Sequence, residues 1–570
     1  MRWSRLSLIA ALLCFLGVAA WQLYLPGLHY DEAFEVVPTM QLLLGQPVTT
    51  FRDNGFWLGN QHLPLMTQDY IGALNTYLAF PFFFVFGISP VSLRLMSLVI
   101  GMVTLWLAYR LTHELYGPTP AGVAALLLAV DPSFVFWSRQ GVFVTSVTAT
   151  LGLAAAWAWL HWWRKRTWGA AALAGWLCGL GLYAKLLFVW LIIAMIAAGL
   201  VVILLRWRQS KGRLSFANLS HLAVAAVAFL VGCAPLLTYN LQTGGTLSSL
   251  SSNLITSYYG TNNLAVFSNL MERFGQLTAL LLGNHFWYLG GSYANWLRLG
   301  LFVIAAACSL AVLLFWHQGR TTVSRALIPF IVITTVVFSS CATVSALWVT
   351  HFALIAPWPS VAVAAGTYVL LDRGHVLTES RPSVNGRQSA NRSARPKGAL
   401  LLAGATLCCL IACWTGDIIT DVRYHQVLAV SGGLGAHSDA VDDLAEWLTV
   451  ADQVRPGRPI LAMDWGIAAP VALLTRGQVT PLEAFGYTWE TDAEFAARLA
   501  PFLRNPDSLY LWRAPDEIIF DRSRAFRALY QLLGLEEDIV EAFYERSGRP
   551  VLGVTRLVAR GTAHNPPSLP

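Results

Sequence analysis

Long apolar stretches alternate with short basic ones over most of the chain. A hydrocarbon core of about 30 Å takes roughly 20 apolar residues per helix. Candidate stretches are 6–25, 69–88, 92–112, 119–137, 143–163, 168–184, 186–205, 219–240, 298–316, 325–346, 351–371 and 398–416. The basic residues between them are Arg2 and Arg5, "WRKRTW" at 163–168, "RWRQSKGR" at 206–213, "HQGRTTVSR" at 317–325, and a long run at 372–398. Such loops prefer the cytoplasm. If 69–88 spans, every later basic loop faces outward. If it does not, all of them face inward together with the N-terminus. Asn75 and Pro81 also break up 69–88. The expectation is therefore eleven spans, the first of them uncleaved, with 69–88 packed at the outer interface inside one long outer loop, 26–91.

Beyond 416 the pattern changes to alternating short helices and strands. "DAVDDLAEWLTVA" reads as helix, "RPILAMDW" as strand, "DSLYLW" as strand and "FDRSRAFRALYQLLG" as helix. "EDIVEAFYERS" reads as a further helix and "PVLGVTRLV" as a last strand. The expected fold is mainly α: a polytopic helical membrane domain, 1–416, followed by an extracytoplasmic α/β domain, 417–570. An outer loop covers 241–297. The Ser/Arg/Asn-rich stretch 372–397 reads as a cytoplasmic linker.

Composition agrees. The 570 residues are 56% hydrophobic and only 12% charged, about half the charge of a soluble domain. The net charge of +7 sits in the loops that orient the spans, which argues against nucleic acid as a partner. All eight cysteines, Cys14, Cys178, Cys233, Cys308, Cys341, Cys408, Cys409 and Cys413, fall in apolar runs, without zinc-type spacing. They read as small buried hydrophobes.

The chemistry gathers on the outer side. "LHYDEAFEVV" at 28–37 places Asp31, Glu32 and Glu35 just past the first span. The following segment has an apolar side and reads as a helix lying in the interface, with Asp31 near its N-terminus. On the same side stand Arg94 in "SLRLM", Arg139 in "WSRQG" and Lys185 in "GLYAKLLF". Cations there run against the orientation rule and point to a bound anion. His62, His285 and His351 are secondary candidates; no HExxH or HxxxH spacing supports zinc. Carboxylates facing cations at a lipid surface suit transfer from a lipid-linked phosphate donor. A carboxylate takes the acceptor's proton, and positive charge receives the departing phosphate. A divalent cation, Mg2+ or Mn2+, held by Asp31 and Glu32 would relieve the crowding of the acids.

In the order and position of its motifs the chain resembles the GT-C superfamily, in the branch of protein mannosyltransferases and aminoarabinose transferases. The motifs are "HYDEAF", an aromatic stretch ending "FGIS" before "LRLMSLVIG", then "DPSFVFWSRQG", "GLGLYAKLLF" and "HFALIAPWPSVAVAAG". The likeness is good over 1–205 and looser beyond. It implies an inverting transferase using a polyprenyl-phosphate sugar, with a protein, lipid or polysaccharide acceptor. It also implies that Asp31 is the catalytic base, Glu32 its supporting or metal-linked acid, and Arg94 and Lys185 donor contacts. Many members carry a second acid after the "SR" element. Here "SRQGVFVTSVT" has Val and Thr instead. A non-catalytic relative that binds a lipid-linked glycan, and a lipid or sugar transporter, remain as alternatives. The expected setting is a bacterial plasma membrane, with the site and the C-terminal domain extracytoplasmic.

Overall fold

The computed structural model describes residues 2–141, 144–209, 219–315, 325–379, 397–486 and 490–561. The helices up to the second apolar hairpin are α1 (Arg2–Ala19), α2 (Tyr30–Phe34), α3 (Val37–Leu43), α4 (Leu74–Phe86), α5 (Pro90–Tyr116), α6 (Pro118–Ala129), α7 (Pro132–Arg139), α8 (Val144–Lys165) and α9 (Trp168–Ala184). Then come α10 (Val189–Gln209), α11 (Leu219–Gly232), α12 (Ala234–Thr243), α13 (Gly245–Ser252), α14 (Val266–Leu282), α15 (Trp296–Phe315), α16 (Ile328–Ser339), α17 (Trp358–Glu379) and α18 (Lys397–Ser431).

The expected spans map onto α1, α5, α6–α7, α8, α9, α10, α11–α12, α15, α16, α17 with the 3-10 turns before it, and α18. Among the described residues, three helices are long and apolar enough to cross a bilayer by themselves, and three bent pairs are so jointly. The pairs bend by 61°, 58° and 48°. Each bend carries a proline: Pro132, Pro235, and Pro357 with Pro359. A missing N–H at that point breaks the ladder and re-aims the chain. The helix in the stretch 69–88 is α4, thirteen residues with Pro81 inside. At 1.5 Å per residue it is about 20 Å long, too short to span. The helices α9 and α11 lie unusually close. A Cβ on Gly175 would stand 2.0 Å from the Ala225 carbonyl oxygen, and one on Gly179 would stand 2.1 Å from that of Phe229. This is a small-residue contact of the kind that membrane helices use to bring backbones together.

The C-terminal domain contains α19 (Ala440–Val454), α20 (Ala468–Leu474), α21 (Asp492–Leu503) and α22 (Ser523–Leu532). Four short strands, β1 (Gly55–Leu58), β2 (Gln61–Pro64), β3 (Met66–Gln68) and β4 (Ile71–Gly72), form two hairpins in the segment expected as the first outer loop. The strands β5 (Ile460–Ala462), β6 (Leu482–Glu483), β7 (Leu509–Arg513), β8 (Leu535–Tyr544) and β9 (Pro550–Ala559) form one sheet in the order β6-β5-β7-β9-β8. Alternate residues face opposite sides. Ile460, Ala462, Leu509 and Leu511 pack toward α19, α20 and the first outer loop. Leu461, Met463 and Tyr510 pack toward α21 and α22.

Three expectations are corrected. The segment at 537–547, read as helix, belongs to strand β8 and the turn after it. The strand pairs antiparallel with β9 across the turn at Ser547 and Gly548; pairing with a formed neighbour overrides the helix preference of its glutamates. The helix that carries the last expected span does not end at 416: α18 runs on to Ser431. Finally, the segment after Asp31 does not lie open in the interface. Tyr30, Ala33, Val36 and Met40 share a core with Val441, Leu444 and Leu511 of the C-terminal domain, so α2 and α3 are roofed by it. The cytoplasmic linker at 372–397 falls largely outside the described residues.

Candidate active site

The turn between α1 and α2 is built around two arginines. Arg139, at the end of α7, is fully buried. Its Nε donates to the Ala19 carbonyl at 3.1 Å, and its Nη2 donates to those of Trp21 and Gln22 at 2.6 and 2.7 Å. Arg94, in the first turns of α5, is equally buried and donates to the Leu23 carbonyl at 3.0 Å. Its other donors meet Glu32 in a forked pair, Nε to Oε2 at 2.9 Å and Nη2 to Oε1 at 3.0 Å. The Gly141 N–H adds a third bond to Glu32 Oε2 at 3.0 Å. Two charges taken out of water hold together only with such complete pairing. Both arginines, expected as donor contacts, are held by these partners where α2 begins, and Arg139 Nη1 is buried with no hydrogen-bond partner among the described residues.

Asp31 occupies the first turn of α2. Its N–H donates to His29 Nδ1 at 3.2 Å. Its carboxylate lies 4.0 Å from the same nitrogen and keeps 41% of its side-chain surface exposed. Among the described residues it accepts no hydrogen bond. Glu35, one turn on, is buried; it accepts from Asn75 Nδ2 at 2.8 Å. Burial pushes its carboxyl up to about 8, while Lys185 and Asn75 pull it back. Lys185, between α9 and α10, is half-buried and feels both Glu35 and Asp31, and burial lowers its ammonium. Its backbone bridges to Ile71 in β4, which ties the first outer loop to the end of α9. Among the described residues Lys185 has no contact ion pair. Tyr259, from the 241–297 loop, is close enough for the Asp31 charge to raise its phenol to about 12, burial being the larger cause.

The structure therefore brings Asp31, Glu32, Glu35, Arg94, Arg139 and Lys185 to one end of the bundle. His351 stands near them. It is buried between Trp190 and Trp348, with Nε2 at 3.2 Å from Ser345 Oγ. His62 stands apart in β2, stacked on Trp57 at 4.6 Å. His285 also stands apart, packed on Trp137 with Nδ1 at 3.3 Å from the Ala279 carbonyl. The C-terminal domain reaches the site as well: the His437 ring stacks on His29 at 4.2 Å and on Tyr288 at 3.9 Å. Sequence reasoning missed His437, because it is some 400 residues from Asp31 and no local motif marks it.

It also missed a buried network. Arg298 on α15 donates to Asp131 Oδ2 at 2.7 Å and to Asp417 Oδ2 at 3.1 Å, and Asn295 donates to Asp417 Oδ1 at 2.8 Å. The signal was present in "DPSF" and "TGDIITD". Ending the last span at 416 placed Asp417 in water.

A divalent cation on Asp31 and Glu32 does not fit this arrangement. Both Glu32 oxygens belong to Arg94 and Gly141, which leaves Asp31 as the one available carboxylate of that pair. Among the described residues no group of three His, Cys, Asp or Glu is placed to hold a metal. The positions after Arg139 where a second acid is usual lie partly outside the described residues.

Residues 74–239 match the model of the family described as dolichyl-phosphate-mannose-protein mannosyltransferase. The whole chain superposes on ArnT from Cupriavidus metallidurans bound to undecaprenyl phosphate, with TM-score 0.58, 12% identity and 99% of each chain covered. The chain has the GT-C fold. The apo form of the same ArnT gives TM-score 0.58 at 12% identity, with 97% of each chain covered. The oligosaccharyltransferase of Archaeoglobus fulgidus in its apo form gives 0.52 at 14% identity, over 90% of this chain and 69% of that one. No curated protein matches the chain by sequence. The match covers the helical part of this GT-C chain and its C-terminal sheet domain together.

Proposed function

We propose that the protein is an integral-membrane glycosyltransferase. It moves a sugar from a polyprenyl-phosphate donor to an acceptor at the extracytoplasmic face, with inversion at the anomeric carbon. One observation carries this reading: of the three clustered acids, Asp31 alone keeps an accessible carboxylate. Glu32 is spent on Arg94, and Glu35 is buried against Asn75.

In this scheme Asp31 takes the proton of the acceptor hydroxyl or amine as that atom attacks the anomeric carbon. The bond from that carbon to the phosphate oxygen breaks, and the electron pair leaves with the polyprenyl phosphate. Lys185 supplies the positive charge that meets it, acting as a point charge instead of a fork. His29 fixes Asp31 through the backbone bond at the head of α2. The match to an ArnT that was solved with undecaprenyl phosphate supports the donor class.

The test is transfer from a synthetic polyprenyl-phosphate sugar by protein purified into liposomes. Asp31→Asn is expected to lose about 10²–10⁴-fold in turnover with an unchanged melting midpoint. Full activity in that variant would remove Asp31 as the base.

A further inference from the structure

We propose that a groove at the end of the bundle remote from Asp31 holds one anionic glycerophospholipid. The groove, a cavity of about 810 Å³, lies between α8, α9, α10, α11 and α16. Its walls carry small residues: Cys178 on α9, Ala198 and Gly199 on α10, Ala225 and Ala226 on α11. Leucine-sized side chains at these positions would close it. The groove opens sideways past Ile196 and Leu200, which are 57% and 60% exposed, so an acyl chain enters it from the bilayer.

The charge lies at one end only. Arg164, in the last turn of α8, and Arg325, just before α16, line the groove together with Trp162 and Trp163. Arg164 is committed to Glu114, with Nη1 at 3.7 Å from its Oε2 and Nη2 donating to its carbonyl oxygen. Arg325 is exposed and has no ion pair among the described residues. Arg166 adds a third cation, stacked over Trp162 and Trp163 at 4.7 and 4.6 Å. Apolar walls with tryptophans and arginines at a single rim fit an amphiphile with a negative head. That rim follows α8 and precedes α16, whereas Asp31 and Lys185 sit at the other ends of the same helices. A donor whose phosphate sits by Lys185 cannot also neutralise Arg325, so the occupant is a separate lipid from the opposite leaflet.

Native mass spectrometry of the full chain in nanodiscs of equal phosphatidylglycerol and phosphatidylcholine tests this. The wild type is expected to retain one phosphatidylglycerol per chain. Arg325→Gln is expected to lower the preference for that lipid about fivefold. Gly199→Phe fills the groove from a wall position where an added Cβ meets nothing within 4 Å, and is expected to abolish retention while the protein stays monodisperse. Retention of phosphatidylcholine, or of an isoprenoid phosphate, at this stoichiometry would overturn the proposal. So would unchanged phosphatidylglycerol binding in both variants.

Discussion

Glu35 illustrates how the fold sets the state of a single residue. Its ordinary value is 4.5, and burial raises it to about 8. Between those values the unfolded chain has released the proton while the folded chain keeps it. The folded state binds more protons, so Glu35 makes stability fall as pH rises through that window, by up to about 1.4 kcal/mol per pH unit. Lys185, shifted downward by its own burial, works in the opposite sense at higher pH, so the comparison between variants carries the information. Glu35→Gln keeps an acceptor for Asn75 and removes the titration. Its melting midpoint, followed from pH 5 to 8, is expected to decline less steeply than that of the wild type. Equal slopes would mean that Glu35 ionises normally in the fold. The carboxylate trio was legible in the sequence; its division into one open acid, one paired acid and one buried acid was not. That division depends on Arg94 and Asn75, which come from other elements.

At the scale of elements, apolar length and proline placement explain most of the membrane part. The broken spans bend where Pro132, Pro235 and Pro357 remove donors, and α4 stops short. The contact between α9 and α11 is the most sensitive of these elements to a single change. A leucine at Gly179 would drive its Cβ to about the 2.1 Å separation from the Phe229 carbonyl that the glycine now leaves empty. Backbone cannot yield as a flexible side chain can, so the helices must part. Gly179→Leu is expected to give little monodisperse protein by size-exclusion chromatography. Gly169→Leu, on the same helix with nothing within 4 Å of its added Cβ, is expected to behave as wild type. Strand β8 marks the limit of local reading. Its glutamates favour helix on their own, and its strand state depends on pairing with β9 across the Ser547–Gly548 turn.

For the whole molecule, the outer domain is not a detachable lid. Tyr30, Ala33, Val36 and Met40 of the first outer loop complete their core with Val441, Leu444 and Leu511, and His437 stacks on His29 beside Asp31. Ending the chain after Ser431 would expose those side chains to water, at a cost of about 25 cal/mol per Å² of apolar surface. The truncated protein is expected to aggregate on detergent extraction, whereas a severable lid would leave a monodisperse, folded helical part. By itself the sequence determined the GT-C architecture: the apolar segments, the short α4 and the C-terminal sheet domain. The reason is that burial in lipid and helix breaking are properties of contiguous residues. Tertiary structure alone decided which acid stays accessible, which arginines are spent on carbonyls, and that α2 lies beneath a roof. Those outcomes follow from partners distant in the chain, whose positions no local pattern encodes.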